Sequence, residues 1–231
     1  MKTILVTGAS RGIGRSSSLH LLKEHHVIAV ARSEEKLTQL AEESKNLAGK
    51  LTTVPADLTK EEDIQQLSDL VHSINGLDGL INNAGQVVMK PFTETSLEEW
   101  RSLMEINVYA PVHLLTKLKP FLKPKSHVVN IGSMAGFQGS KKYPGLSAYS
   151  ATKGALSILT ELLSVEFEPD EIAVNCLCLG AIQTDMLEEA FPGVQAPVSP
   201  DQIGAFIAHF TLTAHQLMNG KVLPVTLNNP R

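Results

Sequence analysis

Residues 2–14 read Lys-Thr-Ile-Leu-Val-Thr-Gly-Ala-Ser-Arg-Gly-Ile-Gly, a short apolar run that breaks into a turn with glycines at 8, 12 and 14. The run is too short for the apolar centre of a signal peptide, and a strand over 2–7 fits it better. Glycines let the chain turn tightly and let a pyrophosphate approach the amides that open a helix. Gly8, Ser10, Arg11, Gly12, Ile13 and Gly14 are therefore candidate cofactor contacts. The spacing is GxxxGxG, not GxGxxG, and Ser17 stands where a third glycine would be, so alone the turn also reads as a plain strand-to-helix connection.

Outward from this turn, β-rich runs alternate with longer amphipathic ones. Strands are expected over 2–7, 26–31, 51–55, 77–82, 126–132, 171–178 and 221–226. Helices are expected over 12–24, 34–47, 60–74, 96–119, 148–167 and 200–215. Runs such as Val27-Ile28-Ala29-Val30 are apolar throughout, as in a parallel sheet covered on both faces. The expectation is an α/β chain: a single Rossmann-like domain over 1–231, with a doubly wound parallel sheet of about seven strands and helices on both faces. Ligands of such sheets bind beyond the carboxyl ends of the strands. Pro111 and Pro120 should kink or break the helix at 96–119. Pro192-Gly193 and Pro197 mark 185–199 as a short, mobile substrate loop.

Composition narrows the function. The chain has 231 residues, 43% of them hydrophobic, and a net charge of −4, so no basic field invites nucleic acid or an anionic membrane. No stretch approaches the roughly 20 apolar residues of a membrane span. Cys176 and Cys178, in the apolar run 172–179, are read as inert core thiols on opposite faces of a strand, and the histidines are dispersed, so no metal site is expected. A reducing, cytoplasmic setting follows.

The second strand ends Ala31-Arg32-Ser33 with no carboxylate before Glu34. A carboxylate there would hold a ribose 2′-hydroxyl, whereas a guanidinium suits a 2′-phosphate. Arg32, Ser33 and Arg11 thus point to NADP(H) over NAD(H). In Tyr149-Ser150-Ala151-Thr152-Lys153, the phenol and ammonium share one helix face. A free phenol has a pKa of about 10, and a neighbouring ammonium lowers it toward the range of acid–base catalysis.

The glycine turn, Asp57, Asn82-Asn83-Ala84-Gly85, Asn107, Ser133 and Tyr149-xxx-Lys153 occur in the order and approximate spacing of one family. From about residue 2 to 226 the chain resembles the short-chain dehydrogenases/reductases. The resemblance implies Tyr149 as the acid or base at the reacting oxygen and Ser133 as its hydrogen-bond partner. It implies Lys153 on the nicotinamide ribose, and Asn107 holding a water behind Lys153. It matches Asp57 and Leu58 to the adenine, and Asn83, Ala84 and Gly85 to the adenosine ribose. Asp57 also reads as a helix N-cap. Gly180, Ile182 and Thr184 match the nicotinamide-contacting segment, although the proline usual before that glycine is Leu179 here, and Asp-Gly-Gly is missing after the last strand. Ser133 and Tyr149 lie further apart than is common in the family. The extra residues are assigned to Gly139–Gly145, a loop at the substrate mouth, and Tyr143 is not the catalytic tyrosine because Ser147 holds its i+4 position.

The activity so implied is NADPH-dependent hydride transfer to a small carbonyl, or from an alcohol in reverse, by a homodimer or homotetramer. Two alternatives stand beside it: a cofactor-binding regulator without turnover, and a 3-oxoacyl-[acyl-carrier-protein] reductase. The acidic residues Glu161, Glu166, Glu168, Asp170 and Glu171 should repel an acidic carrier protein, which favours free small carbonyls. A nucleotide-sugar epimerase would need more chain after Thr184.

Overall fold

The computed structural model describes residues 1–227. Strands β1 (Thr3–Thr7), β2 (His26–Ala31), β3 (Lys50–Pro55), β4 (Leu77–Asn82), β5 (Leu122–Ser133), β6 (Ala173–Leu179) and β7 (Val222–Val225) form one sheet. Its order is β3-β2-β1-β4-β5-β6-β7, and all neighbours run parallel. The order reverses between β1 and β4, which opens a crevice beyond their carboxyl ends.

The covering helices are α1 (Gly12–Leu21), α2 (Glu34–Ser44), α3 (Glu61–Ser73), α4 (Leu97–Met104), α5 (Ala110–Leu118), α6 (Ser147–Glu166), α7 (Asp185–Ala190) and α8 (Pro200–Thr213). Alternation along β1 divides the core. Ile4 and Val6 pack with Leu21 of α1 and Ile203 and Ile207 of α8, whereas Leu5 faces Ile64 and Leu67 of α3 and Leu114 of α5. Being buried on both faces explains why β2 is apolar at nearly every position.

The helix expected over 96–119 is broken. Between α4 and α5 lies a π segment, Glu105–Tyr109, and Pro111 sits in the first turn of α5. Proline brings no N–H to the Asn107 carbonyl, so the regular ladder cannot run through. The expected loop at 185–199 begins instead with α7, capped by the Thr184 hydroxyl, which accepts the Leu187 N–H. The C-terminal Asn228 to Arg231 lie outside the described residues.

The expectation of opposite faces for the two cysteines fails. Residues two apart on a strand share a face, and the sulfurs of Cys176 and Cys178 are 3.9 Å apart, buried beneath Ser157 of α6. Both are free thiols.

Candidate active site

At the end of β1 the chain turns through Gly8 (φ +66°) and Gly12 (φ +54°), a region that strains other residues. Asn83, just beyond β4, holds this turn: its Nδ2 donates to the carbonyls of Thr7 (2.9 Å) and Gly8 (3.3 Å). Thr7, which the sequence reading missed, completes the clamp by accepting the Asn83 and Ala84 N–H groups at 3.0 Å each. A Cβ on Gly14 would overlap the Gly8 carbonyl and stand 2.5 Å from Asn83 Nδ2. Helix α1 starts without a side-chain cap. Its first amides therefore face the crevice with the room and donors that a pyrophosphate needs.

At the far side of the crevice, Asn107 is buried in the π segment. Its Oδ1 accepts the Gln86 N–H (2.9 Å), and its Nδ2 donates to the Gln86 carbonyl (2.9 Å) and the Thr152 hydroxyl (3.0 Å). This amide ties the loop after β4 to α6. Gln86 and Thr152 are partners that spacing alone did not reveal. Gly85 lies so close to Asn107 and Lys153 that a Cβ there would meet Asn107 Oδ1 at 2.8 Å and Lys153 Nζ at 3.5 Å.

Tyr149 and Lys153 share the inner face of α6, with Lys153 Nζ 5.9 Å from the phenol ring centre. Lys153 is 5% exposed and donates to the Ile131 carbonyl at 2.8 Å. Burial pulls its pKa down to about 8, against a smaller opposing pull from the two thiols. The expected lowering of the Tyr149 pKa is reversed: removal of the phenol from water pushes it up, and a hydrogen bond with the Ser133 hydroxyl offsets only part of this. Ser133 ends β5 and accepts the Ala135 N–H at 3.1 Å.

These groups line one cleft of about 840 Å³ that runs from the glycine turn to the start of α6. All the candidate catalytic and cofactor residues line it except Gly14, Ser33 and Asn107, which support it from behind or beside. The Ser33 hydroxyl accepts the Lys36 N–H as the cap of α2. Arg32 is exposed at one end of the cleft and has no ion pair among the described residues. Arg11 is engaged instead with α7, 2.9 Å from Glu189 and 3.6 Å from Asp185.

Asp57 is not a helix cap, because α3 starts only at Glu61. Its Oδ1 accepts the N–H (3.1 Å) and hydroxyl (2.8 Å) of Thr59. Burial acts to raise the Asp57 pKa, but those bonds and nearby Arg32 outweigh it and hold the carboxyl low.

After β6, the turn that lacks proline is pinned otherwise. The Gly180 N–H reaches the Val225 carbonyl (2.9 Å), and Ile182 bridges Val198. The acidic residues toward the end of α6 do not bear on the mouth: Glu161 is twelve positions beyond Tyr149, about 18 Å along the helix.

A family model described as "short chain dehydrogenase" matches residues 2–195. The chain belongs to the short-chain dehydrogenases. It is 34% identical over 200 residues to a cyclopentanol dehydrogenase of Comamonas testosteroni, covering 84% of this chain and 78% of the relative. A short-chain dehydrogenase from Burkholderia cenocepacia, solved with NADP, superposes with a TM-score of 0.87 at 25% identity, covering 97% of this chain and 96% of that one. L-sorbose reductase from Gluconobacter frateurii, solved with NADPH and L-sorbose, gives 0.86 at 25% identity, covering 97% and 94%. This short-chain dehydrogenase is an oxidoreductase with a Rossmann-like sheet, and among its described residues no helix is long and apolar enough to cross a membrane.

Proposed function

We propose that this short-chain dehydrogenase is an NADPH-preferring reductase of small carbonyl compounds, acting in reverse on the matching alcohols. One observation carries the reading: Ser133, Tyr149 and buried Lys153 meet on the same cleft as the glycine turn. The preference for NADPH rests on Arg32, an exposed guanidinium that makes no ion pair among the described residues, at the cleft's end, where a carboxylate would select the unphosphorylated ribose. The NADP and NADPH complexes of the structural relatives agree with it.

When bound, the nicotinamide supplies the hydride. In reduction the Ser133 hydroxyl holds the substrate's carbonyl oxygen, and the Tyr149 phenol gives its proton to that oxygen. The carbonyl π bond breaks while the new C–H and O–H bonds form. The phenolate left behind is steadied by the Lys153 ammonium and regains a proton from solvent. In oxidation the same phenolate takes the alcohol proton. Asn107 acts behind these groups by holding Gln86 and Thr152 in place.

Ile158, Leu162 and Val165 lie exposed along one face of α6 and support assembly as a homodimer or homotetramer. Two free thiols suit a reducing cytoplasm.

The test follows reduced-nicotinamide absorbance over a panel of ketones and aldehydes, for the parent and for Tyr149→Phe. The expected result is turnover by the parent and loss of nearly all of it in the variant, with NADPH binding kept. NADPH binding without turnover of any carbonyl or alcohol by the parent would make the chain a cofactor-binding regulator instead.

A further inference from the structure

The stretch 139–145, which lengthens the spacing between Ser133 and Tyr149, is fastened to the cleft wall. Lys142 Nζ donates to the carbonyls of Ala135 (2.8 Å) and Phe137 (2.7 Å) and to the Ser140 hydroxyl (2.9 Å). The buried Ser140 hydroxyl lies 2.5 Å from the Met134 carbonyl and 2.8 Å from the Phe137 carbonyl, which share its single proton. At the other end the Lys90 N–H reaches the Gly145 carbonyl at 3.0 Å. Gly145 has φ +87°, and Met89 packs 3.2 Å from where its Cβ would be.

A loop held at both ends presents Lys141 and Tyr143 in a defined place. Both line the cleft that holds Ser133 and Tyr149, and Lys141 Nζ stands 5.6 Å from the centre of the Tyr143 ring. Of the other cations lining that cleft, Arg11 pairs with α7 and Lys153 donates to the Ile131 carbonyl, while Arg32 stands elsewhere, where Asp57 and Thr59 line a smaller recess with it. Lys141 is exposed and, among the described residues, has no carboxylate within ion-pair distance. Apolar side chains of Met134, Leu146, Met186, Phe191 and Val194 also line the cleft, and the two carboxylates of α7 that line it, Asp185 and Glu189, are paired with Arg11.

Building on the reductase reading above, we propose that the substrate is a small oxo acid, or the matching hydroxy acid in reverse. Its carbonyl is held by Ser133 and Tyr149, its apolar middle lies along Met134, Leu146 and Phe191, and its carboxylate pairs with Lys141. Tyr143 backs the ammonium through its ring face. Lys141 thus determines specificity and takes no part in the proton transfer.

The experiment measures kcat/KM for medium-chain oxo carboxylates, their methyl esters and their coenzyme A thioesters. It uses the parent, Lys141→Gln, Lys141→Glu and Lys141→Arg, at low and high salt. The parent should prefer acid to ester by about fivefold, the factor that an exposed ion pair of about 1 kcal/mol supplies. The preference should reside in KM, shrink with salt, vanish in Lys141→Gln, invert in Lys141→Glu and survive in Lys141→Arg. An acid-to-ester ratio of one in the parent, or an unchanged ratio in Lys141→Gln, overturns the proposal. A preference for the thioester over the free acid also overturns it, in favour of a phosphate-bearing carrier. No turnover of any of the three, or of neutral ketones, while NADPH binds, refutes the reductase reading itself and this proposal with it.

Discussion

Acidification should destabilise the fold, and most strongly through one histidine. His127 is fully buried on β5, with Nδ1 3.0 Å from the Thr211 carbonyl and Nε2 2.9 Å from Asn175 Nδ2. Asn175 cannot turn its amide round, because its Oδ1 accepts the Lys221 N–H and its Nδ2 also donates to the Met218 carbonyl. Nδ1 therefore donates and Nε2 must accept, which only the neutral ring can do. A proton on Nε2 would set donor against donor in a dry site. Burial accordingly pulls the His127 pKa from the ordinary 6.5 to about 4, with His215 adding to the shift and the Thr211 carbonyl opposing it.

Because the folded pKa lies below the unfolded one, the unfolded chain binds more protons between these values. The stabilisation is complete above pH 6.5 and is lost as pH falls toward 4. The loss is about 2 kcal/mol by pH 5 and about 3 kcal/mol by pH 4. Urea unfolding at pH 7.5 and pH 5 measures it. His127→Gln, neutral at both values, should be less stable at pH 7.5 but should lose about 2 kcal/mol less than the parent between the two. Equal losses in parent and variant, or a His127 side-chain NMR signal that titrates near 6.5 in the folded protein, would refute the reasoning.

Further outcomes follow from the cleft. Arg32→Asp should weaken NADPH binding about 10- to 100-fold, as loss of a charge-assisted hydrogen bond does, with NADH affinity little changed; fluorescence titration of both cofactors measures this. Gly14→Ala forces a methyl group onto the Gly8 carbonyl and Asn83. It should cost about 1–3 kcal/mol in thermal or urea unfolding and should weaken the cofactor turn. Burial raises the Tyr149 pKa, so alcohol oxidation, which uses the phenolate, should climb throughout the alkaline range, whereas carbonyl reduction, which uses the phenol, should hold from neutral pH up to about 10, the ordinary phenol value, and fall only beyond it. A rate–pH profile in each direction checks the signs.

The strands were legible because burial on both faces leaves little choice of residue: β2 at 26–31 and β4 at 77–82 lie where their apolar runs put them. Tyr149, Lys153, Ser133 and the glycine turn were legible as spacing, since helix period and strand ends bring such residues to one crevice. The π segment was not, because sequence announces a proline break without saying how the backbone carries Asn107 across it. Nor was α7, six residues whose ends are set by the Thr184 cap and by Arg11 pairing across the cleft. Thr7 was passed over as the polar end of a strand, yet its hydroxyl accepts two N–H groups from a segment more than 70 residues away. The direction of the Tyr149 shift was missed because proximity to a charge can be read from spacing, whereas the dehydration that outweighs it depends on the assembled walls.

The most direct test of the Ser133–Tyr149–Lys153 site follows a label. Parent protein and Tyr149→Phe are each incubated with NADPH deuterated at the transferring C4 position and a carbonyl substrate, and the alcohol product is read by mass spectrometry and NMR. The expected result is deuterium on the former carbonyl carbon in the parent and almost no product from the variant, although the variant binds NADPH equally well. Label transfer at the parental rate in Tyr149→Phe would contradict it.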